Sequence, residues 1–182
     1  MSAGCPRVLL LNGGSSSGKT TLARSLQDVL DGYWLRLGVD TLIAAAPARL
    51  LRFGGLHLAD DGSVGVGADF VEVERQWRSG VAAMAAAGAH ILVEDNFVSG
   101  PVAQQRWQEA LRGIAVGWVG VRCAPHIASA READRGDRTA GMAASQADSV
   151  HSGIIYDLVV DTGDTSPEDL AHVVRAYFCN DE

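Results

Sequence analysis

Lysine is almost absent from this 182-residue sequence. Lys19 is the only lysine among 15 basic residues, and the other 14 are arginines. The guanine-recognition signature of GTPases, [NT]-K-x-D, requires a lysine of its own, and no lysine is left to supply it. A Ras-like switch is therefore excluded, and the one position that keeps a compact ammonium group is expected to have a specific task.

Cysteine is also scarce. Cys5, Cys123 and Cys179 are an odd number, lie far apart and form no CxxC pair. This pattern is not that of a disulfide framework or of a zinc site. We therefore expect three reduced thiols that serve as small core or surface residues.

The sequence has no excess of positive charge and no long apolar run. Its formal net charge is −7 and its pI about 5.1, which argues against a nucleic-acid partner. The longest small and apolar run, residues 81–89, is too short to cross a bilayer, and residues 1–12 lack the pattern of a signal peptide. These absences predict a soluble, cytoplasmic protein without a membrane partner. Its size and 47% hydrophobic residues predict a single domain, residues 1–182, as a monomer or a homo-oligomer.

What is present is an alternation of strands and helices. Short apolar runs predict five strands, at residues 8–11, 34–39, 91–93, 116–121 and 156–160. Between them, helical spacing or capping signals predict helices after residue 18, at 41–46, at 69–87, at 101–111 and from residue 166. This order is typical of an α/β fold with a mainly parallel sheet, whose ligands bind beyond the carboxyl ends of the strands.

Two segments depart from the alternation. Residues 49–68 predict an insertion near the site, with a small hairpin or an ordered loop around Asp60-Asp61-Gly62. Asp69 and Glu72 predict a capping box at the start of the following helix. Residues 125–153 are rich in charge and alanine, which indicates a helical excursion over the site.

The strongest motif is Gly13-Gly-Ser-Ser-Ser-Gly-Lys-Thr20, which matches the P-loop pattern G-x-x-x-x-G-K-[ST] between a strand and a helix. Its glycines let successive N–H groups converge on phosphates at a helix N-terminus, Lys19 reaches the terminal phosphates, and Thr20 can coordinate Mg²⁺. The predicted nucleotide-binding residues are Gly13, Gly14, Ser15, Ser16, Ser17, Gly18, Lys19, Thr20 and Thr21. The predicted cofactors are ATP and Mg²⁺.

Two acids follow predicted strands. Asp40 is interpreted as the general base that takes a proton from an acceptor hydroxyl, with a helix cap for residues 41–46 as the alternative. Asp95 is interpreted as a Walker-B acid that holds Mg²⁺ directly or through water. Its neighbour Glu94 faces the opposite side of the strand, and either of the two could be the acid that faces the metal.

Further candidates lie in the charged excursion and among the aromatics. Arg131, Arg135 and Arg138 can share one helix face and stabilise the transferring phosphoryl group. The alternative is a solvated helix whose arginines pair with its own acids, Glu132, Asp134 and Asp137. Four aromatic residues are candidates for the wall of an acceptor pocket, two of which could equally be core: Trp34, Phe53, Phe97 and Trp107.

Several segments together resemble the chloramphenicol phosphotransferase family over about residues 8–162. They are residues 12–20, 37–42, 87–89, 94–95, 118–123, 135–143, 150–151 and 156–157. The resemblance implies a P-loop nucleotide-kinase-like three-layer sandwich with a helical lid, and transfer of the ATP γ-phosphate to a primary hydroxyl of chloramphenicol. It implies that Asp40 is the base, that Lys19 and Thr20 serve phosphate and Mg²⁺, and that Arg135 and Arg138 belong to the lid.

The acceptor is less constrained than the chemistry. Residues 48–67 and 96–100 are less similar to the family and are expected to line the acceptor pocket. The alternatives are a kinase for another hydroxylated metabolite or a nucleotide sugar, as in the zeta-toxin kinases, and an inactive nucleotide-binding module.

Overall fold

The computed structural model describes residues 4–58, 64–135 and 141–179. Five parallel strands form one sheet in the order β2-β5-β1-β6-β7. They are β1 (Val8–Asn12), β2 (Trp34–Gly38), β5 (His90–Asp95), β6 (Val116–Arg122) and β7 (Leu158–Asp161). The main helices are α1 (Lys19–Val29), α4 (Ala68–Ala86), α5 (Pro101–Ala110) and α8 (Pro167–Phe178). The predicted α/β fold with a five-stranded parallel sheet is confirmed.

The fold has three layers because both faces of the sheet are covered by helices. Side chains of successive residues point to opposite faces of a strand, so a strand buried on both faces reads as a continuous apolar run. In β1, Leu9 and Leu11 pack in one core with α1 and α8, whereas Val8 and Leu10 pack in a second core with α4 and α5. Each face of the sheet is therefore covered by its own pair of helices.

The insertion contains the predicted hairpin. After α2 (Val39–Ala45) and α3 (Ala48–Leu50), a π-helical turn (Leu51–Gly55) leads into the antiparallel strands β3 (Leu56–Leu58) and β4 (Val64–Val66). The predicted capping box of the next helix is wrong. The N-cap residue of α4 is Gly67, Asp69 lies within the first turn, and Glu72 accepts hydrogen bonds from Arg75 and Gln76 instead.

The charged excursion forms two helices, α6 (Pro125–Arg135) and α7 (Met142–Ser149). Glu132 is buried, and its carboxylate accepts from the backbone N–H groups of Gly141 (2.9 Å) and Ala143 (2.7 Å). A carboxylate at a helix N-terminus satisfies otherwise unpaired N–H groups and complements the helix dipole. Glu132 therefore fastens the start of α7 to α6 and is not the solvated partner of an arginine.

The expectation of three reduced thiols is wrong for two of them. Cys5 precedes β1, Cys179 follows α8, and the two form a disulfide across 174 residues of sequence, while Cys123 is a buried free cysteine. Sequence spacing could not show this pairing, because only the packing of α8 beside the sheet brings the two positions together.

Among the helices that the structure describes, none is both long and apolar enough to cross a membrane.

Candidate functional site

The phosphate loop lies between β1 and α1, at the carboxyl edge of the sheet. Gly18 precedes α1 with φ +87°, a left-handed conformation that glycine adopts without a steric penalty. A Cβ on Gly13 would collide with the carbonyl oxygen of Val121 in β6, so this position also needs glycine. No side chain caps α1 and no acid lies in its first turn, so its N-terminal N–H groups are available to an anion.

Lys19 lies across the start of this loop. Its Nζ donates to the carbonyl oxygens of Gly13 (2.5 Å) and Gly14 (2.7 Å). The hydroxyls of Ser15, Ser16 and Ser17 are buried and have no hydrogen-bond partner among the described residues. The loop thus combines one cation with several polar groups that a phosphate could satisfy.

Thr20 contacts the acid of β5 that faces α1. Its hydroxyl donates to Oε2 of Glu94 at 2.6 Å, and Oε1 of Glu94 accepts from Nε of Arg36 at 2.7 Å. Because the Thr20 proton is directed to Glu94, the lone pairs of the Thr20 oxygen stay available for a cation. Glu94 thereby orients Thr20, while Arg36 partly neutralises Glu94.

Of the two acids that the sequence left open, the structure places the side chain of Glu94, and not that of Asp95, beside Thr20. Asp95 is buried on the opposite face of β5, where Oδ2 accepts from Nε1 of Trp107 (2.6 Å) and Oδ1 from the N–H of Asn96 (2.7 Å). Burial raises the pKa of this carboxyl above its usual range, although the hydrogen bond from Trp107 opposes the shift. Glu94 shares the face of Leu92, which packs against α1, so alternation places Glu94 and not Asp95 near Thr20.

Asp40 lies in the first turn of α2. The helix-cap alternative for this residue is wrong, because the N-cap residue is Gly38, whose N–H donates to the hydroxyl of Thr41 at 3.3 Å. The carboxylate of Asp40 is exposed and lines two neighbouring cavities.

The first cavity has a volume of about 800 Å³ and is lined mostly by polar residues, so it is called the polar cavity. It is lined by every loop residue from Ser15 to Thr21, by Arg36 and Glu94, and by residues 162–167 after β7. The predicted residues Gly13 and Gly14 lie buried beneath it and hold Lys19 through their carbonyls. The structure therefore gathers all nine predicted nucleotide-binding residues at one place.

The second cavity, of about 360 Å³, lies on the other side of Asp40 and is mainly apolar. It is lined by side chains from the insertion, α2, α4 and the end of β5, among them Ile43, Leu56, Val66, Phe70 and Phe97. Of the four aromatics proposed for an acceptor pocket, Phe97 lies here. Trp34 and Trp107 are core residues, and Phe53 is 84% exposed.

Besides Asp40, three ionisable residues line the second cavity: Glu74, Asp95 and Arg106. Glu74 pairs with the buried Arg78 at 2.7 Å and lies 3.9 Å from Arg106. A molecule bound there would meet these groups among mainly apolar walls.

The arginine of α6 that reaches the polar cavity is Arg131. Its guanidinium donates to the carbonyl oxygen (2.7 Å) and the hydroxyl (3.2 Å) of Thr162, and that hydroxyl donates to the carbonyl oxygen of Ser17 at 2.7 Å. Arg131 is thus connected to the phosphate loop through one threonine. The side chain of Arg135 and all of Arg138 lie outside the described residues.

Sequence reasoning missed two contributions to the polar cavity and one contact that holds the phosphate loop. Residues 162–167 form a Gly, Ser and Thr-rich loop at the carboxyl end of a parallel strand, which is a usual place for ligands and could have been noticed. Nothing in the sequence pointed to Arg36, because the sequence of a strand does not show which strand will lie beside it and so which side chain Arg36 will contact. Nothing pointed to Gln146 either, although its Oε1 accepts from the N–H of Ser15 at 2.9 Å.

The protein groups at Thr20 fit Mg²⁺. The described residues contain no group of three or more His, Cys, Asp or Glu side chains that could hold a metal ion by themselves. Mg²⁺ in phosphoryl-transfer sites uses few protein ligands, however, because phosphates and water supply the others. A hydroxyl oriented by a carboxylate meets that requirement.

Comparison with known proteins identifies the family. Residues 6–178 match the family model of the chloramphenicol phosphotransferase-like proteins. Proteins from two strains of Mycobacterium tuberculosis, named "Putative O-phosphotransferase" MT2714 and Rv2636, are each 29% identical over 189 residues, which cover 93% of this chain and 81% of the relative.

Solved structures show the same fold at low identity. A sugar kinase from Janibacter sp. aligns with a TM-score of 0.69 at 19% identity, covering 94% of both chains. The APS kinase CysC of Mycobacterium tuberculosis, in complex with AMPPNP and APS, aligns with a TM-score of 0.62 at 19% identity, covering 96% of this chain and 98% of that one. The tunicamycin resistance protein of Deinococcus radiodurans gives 0.63 at 18% identity, with 93% of each chain covered.

Proposed function

Because this chain belongs to the chloramphenicol phosphotransferase-like family, we propose that it is an ATP-dependent O-phosphotransferase that moves the γ-phosphate to a hydroxyl of a small molecule. Chloramphenicol is the first acceptor to test, and its phosphorylation would inactivate the antibiotic. The polar cavity would hold the nucleotide and the apolar cavity the acceptor.

One observation carries this proposal: the two cavities meet at Asp40. Val39, Asp40, Asn96 and Met142 line both of them. A kinase that transfers phosphate directly must bring the acceptor hydroxyl next to the terminal phosphate, with a base within reach of the hydroxyl proton. Asp40 is the carboxylate at this junction, and we assign it the role of general base.

The remaining catalytic work is positioning and charge stabilisation. Lys19 and the N–H groups of residues 18–21 at the start of α1 would bind the phosphates, where a compact ammonium fits better than a planar guanidinium. Arg135 and Arg138, which the family resemblance places in the lid, would stabilise charge on the transferring phosphoryl group. Arg131, held by Thr162, is a further cation at the same cavity.

Mg²⁺ would be held by Thr20, with Glu94 as the carboxylate that orients it. When bound, the ion neutralises charge on the phosphate oxygens. In this assignment Glu94 replaces Asp95 as the acid of the metal site.

A second candidate acceptor is another hydroxylated metabolite or a nucleotide sugar. It is favoured by Glu74 and Arg106, which add charged groups to the lining of the apolar cavity. A metabolite with a polar group besides its reacting hydroxyl would use them, whereas an otherwise apolar acceptor would not.

A screen of hydroxyl-bearing acceptors, including chloramphenicol, tests the proposal. ADP release would be measured with ATP and Mg²⁺, and the mass of each product determined. We expect at least one acceptor to gain 80 Da, the mass of one added phosphate group (PO₃H), and Lys19→Ala to abolish the gain. ATP binding without transfer to any acceptor would identify an inactive nucleotide-binding module. No ATP binding would contradict the assignment of the phosphate loop.

A further inference from the structure

The segment between α7 and β7, residues 150–157, contacts the last residue of β1, directly before the phosphate loop. Two of its residue pairs, Val150-His151 and Tyr156-Asp157, belong to the motifs shared with the family, yet neither pair has a part in the proposed reaction. Their backbone and side chains form a buried hydrogen-bond network with Asn12, the last residue of β1. Asn12 immediately precedes Gly13, so the network joins this segment to the root of the loop.

Asn12 is fully buried and bridges two groups of the segment. Its Nδ2 donates to the carbonyl oxygen of Val150 (2.9 Å) and to the hydroxyl of Tyr156 (2.5 Å). The ring of Tyr156 lies over Gly120, the partner of Asn12 in β6, where an added Cβ would come within 2.9 Å of the ring. Glycine at position 120 thus lets the phenol lie flat enough for its hydroxyl to reach Asn12.

The Tyr156 hydroxyl also contacts His151, whose Nδ1 is 2.7 Å away. A hydroxyl that accepts from Asn12 still has its own proton to donate, and a neutral imidazole can accept it at Nδ1. Burial, followed by the charges of Arg122 and Lys19, lowers the pKa of His151 to about 4. The neutral imidazole therefore completes an ordered chain of hydrogen bonds from His151 through Tyr156 to Asn12.

Gln146 holds the loop on the other side of the two glycines. Its Oε1 accepts from the N–H of Ser15 at 2.9 Å, and its backbone packs against Gly14, where an added Cβ would lie 3.1 Å from the Gln146 carbonyl. Gly13 and Gly14 are therefore fixed from both ends by α7 and the segment that follows it. These are the residues whose carbonyls hold the Lys19 ammonium.

We propose that Tyr156, His151 and Gln146 are positioning residues that set the place of the phosphate loop and of Lys19. The inference rests on the proposed function, because it concerns the binding of nucleotide phosphates. In this proposal α7 holds the phosphate loop in place. The arginines of the excursion, in contrast, precede α7 in the chain. Loss of the Tyr156 hydroxyl would let the Gly13-Gly14 backbone shift and would misplace the ammonium.

Tyr156→Phe tests this assignment, because it keeps the ring over Gly120 and removes only the hydroxyl. Binding of ADP with Mg²⁺ would be measured by titration calorimetry, beside the thermal midpoint. We expect the Kd for ADP to rise about tenfold, the usual effect of one lost buried hydrogen bond. Tyr177→Phe, which changes a half-exposed tyrosine of α8, is the matched control and should leave the Kd unchanged.

A double-mutant cycle separates positioning from general stability. If Tyr156 acts through Lys19, Tyr156→Phe should weaken ADP binding much less in a Lys19→Ala background than in the wild type. Equal losses in both backgrounds would overturn the inference and leave Tyr156 a structural residue. An unchanged Kd in Tyr156→Phe would overturn it as well.

Gln146→Met provides a second route if Tyr156→Phe does not fold. This substitution keeps the length of the side chain and removes the acceptor of the Ser15 N–H. The Kd for ADP should again rise, by a smaller factor than in Tyr156→Phe. An unchanged Kd would contradict the positioning role of Gln146. If the wild-type protein binds neither ADP nor ATP, the proposed function itself is contradicted. If the wild type binds ADP and the variants bind it equally well, only the positioning role is contradicted.

Discussion

The polar and apolar cavities are adjacent, but they are built in different ways. Seven consecutive residues, Ser15 to Thr21, supply much of the polar cavity, and most of their polar groups are backbone N–H groups or short hydroxyls. The walls of the apolar cavity come from separate parts of the chain: α2, the insertion, α4, α5 and residues 95–99 at the end of β5 and after it. In the proposed function, phosphate recognition is therefore concentrated in one continuous segment, whereas acceptor recognition is distributed over the fold.

This difference has a physical origin. A phosphate is bound by backbone N–H groups and one helix N-terminus, which only a continuous loop with defined glycines can present. An apolar molecule is bound by surface complementarity, which many combinations of side chains can supply. Asp40 lines both cavities, Glu94 lines the polar cavity and Asp95 lines the apolar cavity, so substitutions at these three residues test the comparison most directly.

The largest effect is expected for Asp40→Asn, which removes the base at the junction and leaves both cavities in place. Acceptor phosphorylation should fall by roughly two to four orders of magnitude, the usual contribution of a positioned base. The Kd for ATP should remain near that of the wild type. Steady-state kinetics and calorimetry check this, with the exposed Asp28→Asn as control. Loss of ATP binding together with turnover would identify Asp40 as a structural residue or a metal ligand.

Lys19→Arg tests the polar cavity alone. The charge is kept, but the guanidinium is planar and larger than the space held open by the Gly13 and Gly14 carbonyls. We expect turnover to fall at least about a hundredfold. Arg24→Lys, an exposed substitution on the same helix, is the reverse control and should change nothing. A near-normal kcat in Lys19→Arg would refute the assignment of the loop.

Glu94→Gln and Asp95→Asn form a matched pair of neighbours on opposite faces of β5. Glu94→Gln should raise the Mg²⁺ concentration needed for half-maximal activity about tenfold, because the amide orients Thr20 less well. Asp95→Asn should leave the Mg²⁺ requirement unchanged. It should instead lower the free energy of unfolding by about 1–3 kcal/mol, because the amide cannot accept from both Trp107 and Asn96. A Mg²⁺ titration of activity and urea denaturation measure the two effects, and the reverse pattern would restore Asp95 as the metal-site acid.

Arg135→Ala and Arg138→Ala test the lid. If these arginines stabilise the transferring phosphoryl group, each substitution should lower kcat with both substrates saturating and change the thermal midpoint little. Exposed Arg112→Ala is the control. Retention of more than about a third of the wild-type kcat by both variants, a loss below roughly 0.7 kcal/mol, would exclude a catalytic lid.

The final prediction concerns how the stability of the protein depends on pH through His151. Its folded pKa is about 4, against 6.5 for an ordinary histidine, so the unfolded chain binds a proton more readily in this range. Stability should therefore be lost as the pH falls from about 6.5 to 4, by an amount on the order of 3 kcal/mol. The charged or titratable groups that face this ring are Lys19 of α1, Arg122 of β6, Asp148 of α7 and Tyr156.

Urea denaturation at several pH values checks this expectation. His151→Gln should make the free energy of unfolding less dependent on pH between pH 4 and 6.5 than it is in the wild type, because glutamine does not titrate. His172→Gln replaces an exposed histidine of α8 and serves as the control. The same slope in the wild type and His151→Gln would show that His151 is not the group responsible.

The order of elements and the phosphate loop could be predicted from the sequence because both depend on local patterns. The apolar run of β1 and the glycine and lysine positions of the loop act over a few residues, as does Ser166, whose side chain caps α8 by accepting from the N–H of Asp169 as expected. The capping box at Asp69 failed because a glycine two residues earlier begins the helix, and local signals fix helix ends poorly.

By itself, the sequence determined that this is an α/β protein with a phosphate loop, one lysine placed for phosphates and an acid at the end of the second strand. Only the tertiary structure decided that Glu94 and not Asp95 faces Thr20, that Cys5 and Cys179 form a disulfide, and that Gln146 of α7 accepts a hydrogen bond from the Ser15 N–H. The reason is physical. Strand alternation shows that two neighbours face opposite ways, but which face receives α1 depends on how the helices pack, and contacts across 130 or more residues leave no trace in local spacing.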